Sequence, residues 1–211
     1  MTLYTFFRSS AAYRVRIALN LKGLGADMVP IHLQKEGGQN RKDAFRRINP
    51  QMRIPALKTE SGDVLIQSLA IIDYLDEVHP QPAFLPTHPL DRAKVRAVAQ
   101  IIACDIHPLN NTSPLRYLKN ELGHEQAQID AWYRHWIIEG FEAVERLISP
   151  EPYAFGREVT LADICLVPQV ANARRFNVAI GRFPKIVAVD QACLQLPAFD
   201  KARPDKQPDA E

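Results

Sequence analysis

Hydrophobic positions follow two different rhythms along the chain, and the change falls near residue 80. Residues 3–7, Leu-Tyr-Thr-Phe-Phe, have the aromatic and β-branched character of an extended strand. Arg8, Ser9 and Ser10 follow, and a serine hydroxyl before a run of helix formers is a helix-start signal. The pattern predicts a helix over 11–22 that stops at Gly23. Val29, Ile31 and Leu33 alternate as in a second strand, and Pro30, with no ladder donor, assigns that strand to a sheet edge. Residues 56–59 and 64–67 flank a loop containing Gly62, the outline of a hairpin. From Ser68 onward, Ile71, Ile72, Leu75 and Val78 recur at steps of three and four, the period of one helix face. Within residues 1–81 the order is therefore β-α-β followed by β-β-α.

Pro80, Pro82, Pro86 and Pro89 then interrupt the chain more densely than a helix or central strand tolerates. Beyond them the period is helical throughout, with candidates over 90–105, 125–148, 161–176 and 184–194. Thr160-Leu161-Ala162-Asp163 has the spacing of a capping box, in which hydroxyl and carboxylate satisfy orphaned amides. From Ala202 the chain is polar and Pro-rich and reads as a loose tail. The expected fold class is α/β plus all-α, with a small mixed domain over 1–81 and a helical bundle over 87–211.

Composition narrows the function. With 46% hydrophobic and 24% charged residues among 211, the chain is globular and large enough to bury a core. A formal charge of +2, without basic clusters interleaved with aromatics, argues against a nucleic-acid partner. No apolar run approaches the ~18 residues of a membrane span, and the start Met1-Thr2-Leu3-Tyr4 lacks the basic and apolar regions of a secretion signal. Cys104, Cys165 and Cys193 form no CxxC pair and no metal-ligand spacing, so neither a metal site nor a disulfide is expected. A reducing, cytoplasmic setting suits them.

Candidate chemistry gathers at the strand ends of the first domain. Ser9 and Ser10 stand where a strand meets a helix start, a place that serves either as a simple cap or as an anion site. Ile54-Pro55 precedes the hairpin; a trans bond would simply break the chain there, whereas a cis bond would expose the Ile54 main chain to an extended peptide ligand. Gln67-Ser68 ends one strand and starts a helix, and could either cap it or grip a carboxylate.

The run Ser9-Ser10-Ala11-Ala12-Tyr13-Arg14-Val15-Arg16-Ile17-Ala18-Leu19 resembles the signature of the zeta-class glutathione transferases, which include the maleylacetoacetate and maleylpyruvate isomerases. Gly37-Gly38-Gln39, Asn49-Pro50, Ile54-Pro55 and Gln67-Ser68-Leu69-Ala70-Ile71-Ile72 agree with it. So do Asp105-Ile106-His107-Pro108-Leu109-Asn110-Asn111, Leu166-Val167-Pro168-Gln169 and Asn172-Ala173-Arg174-Arg175-Phe176. The departure is Ala11, where many members carry Cys, so the attacking sulfur is expected to come from bound glutathione.

The resemblance implies a thioredoxin-like first domain, a homodimer, glutathione as cofactor and a small diketo-acid substrate. It implies a hydroxyl at Ser9, with Ser10 beside it, acting on the glutathione thiol. Gln67 and Ser68 would hold the γ-glutamyl end, Ile54 the cysteinyl main chain, and Gln39 the glycine end. Arg14 would lie near glutathione or serve the structure. His107, Asn111, Thr112 and Ser113 would complete the site from the helical domain. Arg8, and Arg175 or its neighbour Arg174, would clamp the substrate carboxylates, guanidinium being suited to bidentate binding. The implied reaction is isomerisation of maleylacetoacetate to fumarylacetoacetate, with maleylpyruvate isomerisation or general conjugation of electrophiles as alternatives.

Overall fold

In a computed structural model, which describes residues 1–211, four strands form one mixed sheet in the order β2-β1-β3-β4. β1 (Thr2–Thr5) runs parallel to β2 (Asp27–Pro30) across helix α1 (Ser10–Leu21). β3 (Ala56–Lys58) lies antiparallel to β1, and β4 (Val64–Ile66) antiparallel to β3. Leu3 sits opposite both Met28 and Leu57, and Leu3 and Leu57 are fully buried. β2 is an edge strand, as Pro30 requires, but it starts at Asp27 and not at Val29. β1 also ends earlier than its aromatic run. Phe6 and Phe7 leave the ladder and cluster with Phe45, of the short helix α2 (Asp43–Arg46), and with Ile54. The aromatic run is thus half strand and half core-filling turn, which places Ser9 at the head of α1.

α3 (Ser68–Val78) buries Ile71, Ile72 and Leu75, while Val78 has turned off that face and is 47% exposed. The hairpin between β3 and β4 turns at Gly62, whose φ of +95° an L side chain rarely adopts.

The chain divides into two units, Met1–Ala83 with Leu196–Glu211, and Phe84–Gln195. In the second unit, α4 (Pro89–Gln100) continues into a π-helical segment, Ile101–Ile106, where one helix was expected over 90–105. Two short helices that the sequence reading did not contain follow, α5 (His107–Asn110) and α6 (Thr112–Asn120). α7 (Gln126–Leu147) passes so near the π segment that a Cβ on Gly140 would lie 2.3 Å from the Ile106 side chain. α8 (Leu161–Arg175) is buried without interruption from Leu161 to Val170, and α9 (Pro184–Leu194) packs beside it.

The terminal segment corrects the expected boundary. Residues 196–211 belong to the first unit, not to the helical one, and they are not a loose tail. α10 (Pro197–Ala202) buries Phe199 completely. Tyr13 Oη donates to the Phe199 carbonyl at 3.4 Å, Asn20 Nδ2 to the Ala198 carbonyl at 2.9 Å, and Arg16 Nε to the Ala202 carbonyl at 3.1 Å. Six residues carry too little periodicity to announce such docking, which depends on polar side chains of α1 finding carbonyl partners.

The capping box forms as expected. Asp163 Oδ2 accepts from the Thr160 amide and from Thr160 Oγ1, both at 2.8 Å, and Oδ1 accepts from the Ala154 amide at 2.7 Å. Asp163 is fully buried, so Asp163→Ala leaves those donors without partners. The expected loss is about 2–4 kcal/mol of unfolding free energy, read as a lower urea midpoint at unchanged slope.

Candidate active site

Ser9 is the N-cap of α1: its Oγ accepts from the Ala12 amide at 3.2 Å, and its own amide donates to the Phe6 carbonyl at 3.0 Å. A serine hydroxyl carries one proton and two acceptor lone pairs, so capping occupies a lone pair and leaves the proton to donate. The two readings of Ser9, cap and anion site, are therefore compatible. Ser10 occupies the first helical position and is buried, whereas Ser9 is half-buried and reachable. Arg8 is exposed, its guanidinium 4.8 Å from the Phe7 ring centroid.

The Ile54–Pro55 bond is cis, and the main-chain groups of Ile54 form no hydrogen bond within the chain. Gln67, just before α3, has φ 70° and ψ 120°, a conformation that costs a non-glycine residue about 1–3 kcal/mol and that clusters at ligand clamps. Its Nε2 donates to Gln51 Oε1 at 2.7 Å, which leaves Gln67 Oε1 as an acceptor. Arg14, 1% exposed, donates from Nη1 to Ser68 Oγ at 3.3 Å and so brings a buried cation to the head of α3. Gln39 is turned inward: its Oε1 accepts from the His32 amide at 2.8 Å, and its amide donates to the His32 carbonyl at 2.8 Å. Its Nε2 is the group that remains for a carboxylate. Ser9, Gln39, Ile54, Gln67, Ser68 and Arg14 thus all belong to the first unit.

In the second unit, the Asn111 side chain caps α6 through the Thr112 amide at 2.7 Å, and its Nδ2 stands 3.5 Å from His107 Nε2. Thr112 and Ser113 are exposed in the first turn of α6. The adjacent arginines have separate fates. Arg174 pairs with Asp190, a carboxylate 1% exposed whose pKa is raised by burial against the opposing pull of Arg174. Arg175 instead lies 3.4 Å from Tyr133 Oη and 3.3 Å from Asn172 Oδ1, with its guanidinium 5.1 Å from the Phe176 ring centroid. Tyr133 stacks on Phe176, and burial raises its pKa while Arg175 opposes the shift. Arg174 is a structural cation, and Arg175 is the one whose partners are neutral.

A family model described as "Glutathione S-transferase, N-terminal domain" matches residues 3–83. Maleylacetoacetate isomerase of Pseudomonas aeruginosa is 48% identical over 209 residues, covering 99% of this chain and 98% of that protein. The holo structure of a bacterial maleylpyruvate isomerase, described as a zeta-class glutathione transferase, superposes with a TM-score of 0.96 at 49% identity over all of both chains. The chain belongs to the zeta class of the glutathione transferases. A maleylacetoacetate isomerase of Methylobacterium extorquens, solved with bound malonate and glutathione, has a TM-score of 0.94 at 35% identity over all of both chains.

Ala11, the position at which the resemblance leads one to expect a thiol, is buried in the first turn of α1. The chain's cysteines all lie in the second unit. Cys165 and Cys193 are buried, and burial together with Asp163 and Asp190 pushes the Cys193 thiol far up, away from a thiolate. Gln51, Tyr133 and His32 support the site residues but were not visible in the sequence, since each acts through a contact between segments distant along the chain. Trp132 and Trp136 are half-buried, and Trp132 Nε1 donates to the Leu109 carbonyl at 2.8 Å, tying α7 to α5.

The contrast between the two arginines is testable. Arg174→Ala strands a buried carboxylate and should lower stability by about 1–3 kcal/mol, the upper part of the buried-pair range being discounted because Arg174 is 44% exposed. Arg175→Ala should change the unfolding free energy by less than about 0.5 kcal/mol, the usual range for a surface substitution, in parallel melts.

Proposed function

We propose that this chain catalyses the glutathione-dependent cis–trans isomerisation of a maleyl diketo acid, converting maleylacetoacetate to fumarylacetoacetate. The observation that carries the reading is the Ser9 hydroxyl, fixed by its capping bond with its proton left to donate at the N-terminus of α1.

The residues present fit glutathione group by group. The γ-glutamyl end bears an ammonium and a carboxylate; Gln67 Oε1 suits the first, and the Ser68 hydroxyl with Arg14 behind it suits the second. The unpaired main chain of Ile54 suits antiparallel pairing with the cysteinyl residue. Gln39 Nε2 suits the glycine carboxylate. Bound glutathione supplies a thiolate that adds to the alkene, permits rotation about the resulting single bond, and leaves as the trans alkene re-forms.

The protein's part is electrostatic. A free thiol with a pKa near 8.5 is only a few per cent ionised at neutral pH. A hydroxyl donor and the positive end of a helix dipole both favour the charged form. Ser10, buried at the first position of α1, is assigned with Ser9 to the glutathione thiol. During addition, negative charge grows on a conjugated carbonyl, and Arg8 with Arg175 supplies cationic donors for that charge and for the substrate carboxylates. His107, Asn111, Thr112 and Ser113 are assigned to binding, through the hydroxyl and amide groups at the head of α6. Malonate in the Methylobacterium extorquens relative is a dicarboxylate, in keeping with a diacid substrate.

Maleylpyruvate is the second substrate to consider, because the holo relative at 49% identity is a maleylpyruvate isomerase. We further propose a homodimer working in the cytoplasm, on a small-molecule substrate, with neither nucleic acid nor membrane as partner. No helix is long and apolar enough to cross a membrane.

Loss of the cis species should be followed with both maleyl substrates, with and without glutathione. Ser9→Ala should cut kcat/KM by about 10²–10³-fold in a protein that still melts cooperatively. An unchanged rate would remove Ser9 from the mechanism. Arg175→Ala should raise KM for the diacid about tenfold or more, the scale of one lost charged hydrogen bond, with KM for glutathione nearly unchanged. Equal effects on both would exclude the clamp.

A further inference from the structure

The last residues of the chain have no part in the chemistry above, yet they close on the segment that carries Ser9. The Phe7 amide donates to Asp209 Oδ2 at 3.0 Å. The Phe7 carbonyl accepts from Arg16 Nη2 at 3.1 Å, and Arg16 Nη1 donates to Thr5 Oγ1 at 3.0 Å and to the Phe6 carbonyl at 3.4 Å. That Phe6 carbonyl also receives the Ser9 amide. Two residues before the cap, both main-chain groups of Phe7 are therefore held by side chains, one from the helix and one from the C-terminal end.

Arg16 is 1% exposed and reaches onward through Nε to the Ala202 carbonyl at the end of α10. Burial pulls its pKa down to about 10, and the Asp209 carboxylate is the leading charge that opposes this. The segment between Ala202 and Asp209 is stiffened by its own contacts: Arg203 with Asp205, and Gln207 Nε2 with the carbonyls of Lys201 and Arg203. Asp209 thus reaches Phe7 on a braced segment. Glu211 then pairs with Lys35 and lies 3.5 Å from Nε2 of His32, the residue whose main chain holds Gln39.

We propose that Asp209 is a positioning residue for Ser9. The C-terminal segment is a strap that fixes the peptide on either side of Phe7, and through it the direction in which the Ser9 hydroxyl presents its proton. The proposal rests on the reading of Ser9 as the donor to the glutathione thiol. α10 itself does not depend on Asp209, because Tyr13, Asn20 and Arg16 dock it and its own Phe199 is fully buried. Loss of the Asp209 carboxylate should then loosen the turn without releasing the helix.

The test uses the full chain with Asp209→Ala, Asp209→Asn and Ser9→Ala. In glutathione-free protein, amide hydrogen exchange at Phe7 should quicken at least tenfold in Asp209→Ala. It should stay within about threefold of the parent in Asp209→Asn, whose side-chain oxygen still accepts the bond. With saturating glutathione at one fixed pH, the ultraviolet absorbance of the bound thiolate should fall at least threefold in Asp209→Ala. KM for the diacid should stay unchanged while kcat drops. A lower melting temperature with parental exchange and parental thiolate absorbance would make Asp209 merely structural and overturn the proposal. If Ser9→Ala abolishes the thiolate signal and Asp209→Ala does not, the strap alone fails. If Ser9→Ala leaves that signal intact, the underlying reading of Ser9 fails instead.

Discussion

A serine oxygen that caps a helix is held in place, and one of its lone pairs is taken. The bond from the Ala12 amide to Ser9 Oγ fixes the oxygen at the head of α1 and leaves its proton available to another partner. Much of the first unit serves that placement. β1 stops at Thr5 so that Phe6 and Phe7 can fill the core and turn the chain, and the Ser9 amide closes that turn on Phe6. The sheet, the aromatic cluster and the start of α1 are in this sense one construction, with a single polar atom as its outcome.

Buried arginines show how the same side chain divides between scaffold and chemistry. Arg14 and Arg16 are each 1% exposed on α1, one reaching Ser68 and the other the carbonyls of the Phe6–Phe7 turn. Guanidinium suits both tasks because its fixed fork of donors can satisfy several acceptors without losing its charge. Arg174 is likewise committed, to Asp190, whereas Arg8 and Arg175 rest against aromatic faces with no carboxylate beside them. Among the candidate clamp residues, Arg8 and Arg175 are thus the arginines whose charge no carboxylate of the chain already neutralises.

What could be read from the sequence was what local patterns encode. The 2-residue and 3.6-residue rhythms located the sheet strands and the long helices, though not the unit to which residues 196–211 belong, and Pro30 placed its strand at an edge. The Thr160–Asp163 spacing identified the cap of α8. What escaped were features made by distant segments meeting. Nothing in Pro197–Ala202 foretells that it docks on α1, because its anchors are carbonyl groups, which every residue has. The division between Arg174 and Arg175 was hidden for the same reason: the two are neighbours in sequence, and only the burial of Asp190 separates them. α5 and α6 are short and lack a long apolar period, so they were absorbed into a motif and not seen as helices.

The presence of Ala11, and not a thiol, beside Ser9 bears on how little the chemistry demands of the protein. Addition and elimination at an alkene need one sulfur, and the same sulfur leaves that entered, so a second thiol is not required for balance. A methyl side chain at Ala11, 8% exposed, also adds no competing nucleophile and no site for oxidation beside the Ser9 hydroxyl. On the proposed reading of Ser9, the remaining requirement is to keep one borrowed thiol ionised, which hydrogen bonding and the helix dipole would meet without any titrating group of the protein changing state. If catalysis rests on where a neutral hydroxyl points, as proposed for Ser9, then contacts that fix direction, however far along the chain they originate, belong to the active site.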